Sequence, residues 1–289
     1  MMAALIISLR LSLLLLSGWQ DPKPMPDKDS FLAEFRKTLH SDDKLLSQYT
    51  YTQKETETTL DGKGHVKKTE VNVYQTIQGA EDCQSYNRQI VKNGVPVSEQ
   101  ELEKKDREEK ERVARETKKR AGESEAKRKE KKAKEDREEQ EALDDIFAMY
   151  DLHLLRRELV NDIPTILVTF KAKPDYRPKT AGGKILQHIA GKAWIAEDDH
   201  ELAKVEAEIT DPISIVAGFL AKVQKGSTVV MERRKINNEI WLPFREEGSI
   251  NGKLLLLKGI NIRELVEYSD YRKYTVDTIL QFEEPPKEN

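Results

Sequence analysis

The residues in this sequence with the means to do chemistry are five histidines, one cysteine and two notable carboxylate pairs, Asp42-Asp43 and Asp198-Asp199. A zinc or transition-metal site wants histidines at i,i+4 on a helix or a His-x-Glu pairing on one face. His40, His65, His153, His188 and His200 offer neither, and each reads as a surface or strand residue. Cys83 stands between Asp82 and Gln84 with no histidine in the local sequence. It reads as a strand-edge residue rather than a nucleophile, and a lone cysteine forms no intramolecular disulfide. Adjacent aspartates on a strand or turn point apart, which suits turn formation better than acid/base work. Gly182-Gly183-Lys184 lacks the first glycine of a phosphate-cradling loop, and Ile185 stands where a Ser or Thr would hold magnesium. It reads as a loop. No G-x-S-x-G elbow occurs. The expectation is a non-enzyme with no metal and no cofactor, which acts by binding.

Charge gives the next constraint. Charged residues make up 35% of the 289, and the mean hydropathy is -0.70. Most of that excess lies in one block, residues 99–141. Outside the block the apolar content is ordinary and can bury a core. Forty-nine basic and 52 acidic groups leave a net charge of -3, and the signs cancel locally. A nucleic-acid surface needs a one-sided basic excess, so nucleic acid is excluded as the expected partner.

At the N-terminus, residues 3–16 are apolar apart from Ser8, Arg10 and Ser12, and end in Leu13-Leu14-Leu15-Leu16-Ser17-Gly18. That run is too short to span a bilayer but suits the apolar region of a secretory signal. Arg10 lies inside the run and no basic residue precedes it, which departs from the usual pattern. Trp19 stands where the lipid-accepting cysteine of a lipobox would be. Residues 1–20 are therefore expected to be a cleaved signal peptide, and the mature chain an unlipidated periplasmic protein. The competing reading is an ordinary buried helix.

The elements follow from periodicity. Residues 21–98 should supply an N-terminal helix and the first strands. Asp29 or Ser30 caps the helix, with Phe31, Leu32, Phe35 and Leu39 on one side. Period-two stretches follow on either side of Asp61-Gly62-Lys63-Gly64, and Asn93-Gly94 marks a hairpin. Residues 99–141 are rich in helix formers with i,i+4 pairs such as Glu101/Lys105 and Glu130/Lys134, but carry no coiled-coil seam. This charged insertion is a solvated helix, or two helices divided at Gly122. Residues 142–289 return to an apolar helical stripe (Ala142, Leu143, Ile146, Phe147, Tyr150) and then to strands. Hairpin residues Asn161-Asp162-Ile163 sit between two of these. Ala203, Val205, Ala207 and Ile209 alternate with Lys204, Glu206 and Glu208. Asp211, Pro212 and Gly226 frame a helix with Ile213, Val216, Phe219, Leu220 and Val223 on its apolar side. Strands resume at 227–235, 239–247, 253–262 and 265–280. Roughly ten antiparallel strands with few helices make an α+β fold whose sheet must curve or close.

Three stretches together resemble the lipoprotein-localisation carrier family, the half-barrel of periplasmic lipoprotein carriers and related outer-membrane receptors. They are Phe147-Ala148-Met149-Tyr150 through Asn161-Asp162-Ile163-Pro164 to Phe170 and Pro174; Gly191-Lys192-Ala193-Trp194-Ile195-Ala196 with Leu202-Ala203-Lys204-Val205-Glu206; and Asn237-Asn238-Glu239-Ile240-Trp241-Leu242-Pro243 through Gly252-Lys253 to Tyr268-Ser269-Asp270-Tyr271-Arg272-Lys273-Tyr274. The resemblance implies an open barrel of about eleven strands covered by helices, with an apolar cavity for acyl chains. The basic lid-holding residue of such carriers has no matching position here, and the charged insertion departs from the simple carriers.

The expected function is binding or carriage of a lipid or a lipidated protein in an apolar cleft. Phe170, Trp194 and Trp241 would line the cleft, and the helix bearing Ile213, Val216, Phe219 and Leu220 would cover it. The alternative is a non-catalytic envelope sensor or interaction module of the same fold, with a protein partner docked on the charged insertion.

Overall fold

The computed structural model describes residues 23–39, 49–77, 86–216, 220–254 and 258–273. The expected signal peptide, Cys83, His40, Asp42-Asp43, Phe219 and the strand end beyond Lys273 lie outside the described residues.

Among the described residues thirteen antiparallel strands form one sheet. In chain order they are β1 (Tyr49–Leu60), β2 (Val66–Ile77), β3 (Tyr86–Lys92), β4 (Val95–Pro96), β5 (Tyr150–Val160), β6 (Ile163–Ala172), β7 (Ile189–Ala196), β8 (Leu202–Ile209), β9 (Ile213–Val216), β10 (Leu220–Val223), β11 (Thr228–Ile236), β12 (Ile240–Leu254) and β13 (Lys258–Lys273). The spatial order is β4-β3-β2-β1-β13-β12-β11-β8-β7-β6-β5, with the β9–β10 hairpin attached to β12. The first and last strands pair along nearly their whole length, from Tyr49↔Lys273 to Thr59↔Ile262. β4 and β5 are the outer strands, so the sheet does not close. Register breaks in six of the ladders, among them Leu154/Arg156 and Trp194/Ile195, each add a local bend. The result is the strongly curved α+β open half-barrel that the alternation and the resemblance imply, with thirteen strands rather than ten or eleven.

Turn chemistry sets the registers. Asn93-Gly94, Asn161-Asp162 and Asn237-Asn238 all take positive φ, between 50° and 79°, which is the geometry of tight two-residue hairpins. The strands expected at 239–247 and 253–262 are one continuous β12 followed by β13, because Gly248 and Gly252 stay within the ladder.

Among the described residues four helices accompany the sheet: α1 (Lys28–Thr38), α2 (Glu99–Ala121), α3 (Glu125–Met149) and α4 (Ala181–Leu186). The cap of α1 is Asp27, two or three residues ahead of the expected Asp29 or Ser30. Its carboxylate accepts from the Ser30 N–H at 3.0 Å, and Asp29 falls in the first turn instead. Phe31 and Leu32 of α1 pack on Ile166, Val168 and Ile195, with Phe35, Phe147, Leu152, Leu154 and Leu202 around them. This is the largest buried cluster. Arg36 pairs with Asp144 and lies over the Phe147 ring, so the end of α3 closes on α1.

The insertion is two helices, divided at Gly122 as one of the two sequence readings has it. α2 packs against β3: Arg88 grips Asp106 through both carboxylate oxygens at 3.0–3.2 Å, and the Tyr86 hydroxyl donates to the same group at 2.9 Å. α3 is exposed on every side from 125 to 141, and only its last turns are buried.

Two local expectations are corrected. The 213–223 segment is a β-hairpin, not a lid helix. Ile213, Ile215 and Val216 are β-branched, and the second half of β12 offers an unpaired edge that β10 takes up in the register Ala221↔Leu254 to Val223↔Gly252. Gly252 permits that approach, since a Cβ there would lie 2.5 Å from the Lys222 carbonyl oxygen. The stretch around Gly182-Gly183-Lys184 is the short helix α4 rather than a loop, because the Thr180 hydroxyl caps the Gly183 N–H at 2.9 Å.

Candidate functional site

Alternation along β7 puts Ile189, Gly191, Ala193 and Ile195 on the face that α1 covers, and Trp194 and Ala196 on the other. α1 reaches only the Ile195 end of that face. At the opposite end the same face continues through Ala207 and Ile209 of β8, Val229 of β11, Ile250 of β12 and Val266 of β13. Among the described residues no helix covers them, and together they line a hollow of about 310 Å³. Val223 of the β9–β10 hairpin forms part of its wall, so the segment expected to cover a cleft as a helix borders one as a hairpin. Val229 is 44% exposed and Ile250 39%, whereas Val266 is buried. Such a volume falls at the small end of ligand sites, which span roughly 300–1,000 Å³.

Two carboxylates border this apolar patch: Glu246 and Glu264 share the face of Gly248 and Val266, while Glu208 and Glu247, also at its edge, alternate to the other face. Glu247 is held by Arg245. Burial, and then the nearby Glu264, push the Glu55 carboxyl above its ordinary range. Burial and the Glu246 carboxylate together push the Tyr268 hydroxyl up. The mouth of the hollow is therefore acidic, and a bound anion would meet repulsion there.

The residues expected to line a cleft are not brought together. Phe170 is on the α1 face and packs edge-on against Tyr150 at 5.2 Å. It lies over Gly191, where a Cβ would come within 2.9 Å of its ring. It stands between the α1 cluster and the hollow but does not line the latter. Trp194 faces the other way: its indole N–H donates to Glu158 at 2.6 Å and Lys204 lies 4.9 Å over its ring. Trp241 is 3% exposed, packs with Ala196 and Ala203, and donates to Asp199 at 2.9 Å. Ile213 is buried, Val216 and Leu220 belong to the hairpin strands, and Phe219 lies outside the described residues. A tryptophan is a reasonable cleft marker in a sequence, but here both indoles are used for packing with their N–H groups satisfied. The residues that do line the hollow come from five strands and a hairpin. Beforehand, the Ala203/Val205/Ala207/Ile209 alternation pointed to Ala207 and Ile209, and the apolar side of the expected covering helix pointed to Val223.

A larger recess of about 720 Å³ opens at the rim, between the turn residues Asn161-Asp162, Asp198-Asp199 and Asn238, with Trp241 at its floor. Three of its polar side chains, Asp199, Lys235 and Trp241, are tied to one another. Asp199 accepts from Lys235 at 2.7 Å and from Trp241. Burial works against ionisation of Asp199, but these donors outweigh it and hold the carboxyl below its ordinary range. Asp198-Asp199 is thus turn and packing chemistry.

Two polar knots tie the helices and the N-terminal segment to the sheet. Asp145, 2% exposed near the end of α3, accepts from the Tyr176 hydroxyl, the Lys179 and Thr180 N–H groups and the Thr180 hydroxyl, all within 2.8–3.1 Å. Burial opposes its charge, but those donors prevail and bring its pKa to about 2. Arg157 of β5 grips both carboxylate oxygens of Glu197 at 2.7 Å and donates to the Lys23 and Pro24 carbonyls, tying the segment before α1 to the sheet. The Arg157 hydrogen bonds bring Glu197 to about 2. Among the described residues no group of His, Cys, Asp and Glu is gathered for a metal ion, and no helix is long and apolar enough to cross a membrane.

No family model matches the chain, and no curated protein matches it. Among solved structures, the chain is similar to a LolA superfamily protein from Nitrosomonas europaea, at 13% identity over 87% of this chain and 94% of that one, with a TM-score of 0.30. It is also similar to a DUF1329 family protein from Desulfovibrio piger, at 12% identity over 87% and 95%, with a TM-score of 0.33. A third is MucB in complex with MucA, at 8% identity over 86% and 100%, with a TM-score of 0.22. At TM-scores below 0.5 these likenesses assign neither a family nor a ligand.

Proposed function

We propose that the protein is a non-catalytic carrier or binder of an acyl chain, borne by a lipid or a lipidated protein, acting in the periplasm after export. One observation carries this reading: the half-barrel leaves an unfilled apolar hollow of about 310 Å³ on the face where α1 packs, walled by Ile189, Ile209, Val223, Val229, Ile250 and Val266. Burial of apolar surface yields about 25 cal/mol per Å², so a chain laid there gains a few kcal/mol without any polar anchor. The acidic mouth favours a neutral acyl ester or amide, as lipidation produces, over a free fatty anion.

The test is binding of a fluorescent neutral acyl ester, with native mass spectrometry of the purified chain for retained acyl mass. Val229→Trp fills the hollow from a position that is 44% exposed, so the core is left intact. The parent should bind and V229W should lose most of that affinity at unchanged melting temperature. A parent that binds no acyl probe and carries no acyl mass refutes the reading.

A second reading, an interaction module that docks a protein on its helical arm, is favoured by the continuous exposure of α3 over 125–141. It requires a protein partner captured through the arm by a chain that binds no acyl probe.

A further inference from the structure

The arm formed by α2 and α3 carries its charge in blocks. Residues 118–134, which span the elbow between the helices, hold nine Lys and Arg against three Glu. Residues 135–145, which lead back to the sheet, hold seven Asp and Glu against one Arg. The exposed part of α3, 17 residues from 125 to 141, stands about 25 Å long at 1.5 Å per residue. Helix stability does not account for the elbow. Lys118, Lys119 and Arg120 in the last turn of α2 complement its dipole, but Lys127, Arg128 and Lys129 occupy the opening turns of α3, where the dipole opposes cations. Glu123 and Glu125 neutralise Lys127 and Lys129 at 3.4 and 2.7 Å, while the elbow as a whole keeps its positive excess.

We infer that this elbow docks the protein on an anionic phospholipid bilayer. The inference rests on the acyl-binding reading to the extent that a chain that takes up acyl groups must meet the membrane that supplies or receives them. The charge layout specifies the geometry of contact. A planar anionic surface that meets the elbow faces the net-basic block 118–134, while the acidic block 135–145 lies at the sheet end of α3. A long polyanion laid along α3 would run into that acidic block, and residues 99–141 contain no aromatic side chain on which a nucleobase could stack. The arm has no apolar stripe to insert, so the contact is electrostatic and peripheral, and salt should weaken it.

The experiment is co-sedimentation of the full chain with vesicles of phosphatidylcholine alone and of phosphatidylcholine mixed with phosphatidylglycerol, at low and physiological ionic strength. The parent should partition onto the anionic vesicles only, and less so as salt rises. The variant K118Q/K119Q/R128Q/K132Q keeps good helix formers at exposed positions and should bind about 10- to 100-fold more weakly, with unchanged circular dichroism. K63Q/K67Q/K92Q/K225Q removes the same number of charges from exposed positions on the body and should bind like the parent. Equal partition onto neutral vesicles, no binding at all, an equal loss in the body variant, or binding to duplex DNA but not to vesicles would each overturn the inference. The vesicle assay does not depend on the hollow. V229W that still sediments while losing the acyl probe separates the two sites, and a parent that sediments without binding any acyl probe leaves the docking surface standing and removes the carrier reading.

Discussion

Replacing Asp145 with Asn should destabilise the protein by about 2 kcal/mol, and the figure follows from its surroundings. The carboxylate is buried and accepts from four separate donors on Tyr176, Lys179 and Thr180. Those donors move its pKa from 3.8 to about 2. At about 1.4 kcal/mol per pH unit, the folded state favours the ionised form by about 2 kcal/mol over the protonated one, which asparagine mimics in shape. For a chain of this size that is a fall in Tm of about 4–8 °C. D145A leaves the donors without an acceptor and should cost more, about 3–5 kcal/mol. The pH dependence has a definite sign. A depressed carboxylate contributes stability that is complete above its unfolded value and is lost as pH falls from about 4 through 2. Urea unfolding at neutral pH and again across that window reads both effects. The parent should lose stability on acidification that D145N does not lose further. A D145N variant within about 0.5 kcal/mol of the parent at neutral pH, or one with the same acid slope, would refute the account of this knot.

Three further outcomes follow from the site. Gly252→Val drives a side chain against the Lys222 carbonyl, so it should displace the β9–β10 hairpin and weaken acyl-probe binding while far-ultraviolet circular dichroism stays constant; unchanged binding would show that Val223 is not needed as wall. Glu55→Gln should stabilise the fold at neutral pH, because burial and Glu264 raise the carboxyl's pKa and ionisation opposes folding. The gain should vanish below the unfolded value of 4.5, as seen by thermal melts across that range. Glu264→Gln removes one carboxylate from the mouth and should improve the affinity for a free fatty anion about two- to tenfold, with little change for a neutral ester, in a displacement titration.

How much of this was legible beforehand depends on whether the signal was local. The Asn-Gly and Asn-Asp turns declare their hairpins in two residues, and Ala203 to Ile209 alternates cleanly enough to fix both the strand and its buried face. The insertion separates itself by charge alone. The 213–223 hairpin was misread because Asp211, Pro212 and Gly226 are sound helix punctuation and the apolar residues fit a 3.6 period. What decided the matter was the open edge of β12, some thirty residues downstream, with the β-branched Ile213, Ile215 and Val216 as the only local warning. The hollow was hidden for a related reason. Ile189, Ile209, Val229, Ile250 and Val266 are unremarkable strand residues until four registers align them. The tryptophans drew the eye by size, yet their faces are set by strand parity that no single strand reveals.

The pairing of β1 with β13 has a consequence for synthesis. Thr59 meets Ile262, so a strand made among the first must wait for nearly the last before its hydrogen bonds are satisfied. Until then the meander from β1 to β3 presents a bare flank, and a contact between strands this distant in the chain is expected to close slowly. A ribosome-bound or truncated chain ending before 258 should remain an open, sticky intermediate that depends on chaperones. The β1–β13 ladder therefore forms only after β13 has been made, whereas local hairpins such as β1–β2 and β5–β6 need no late strand.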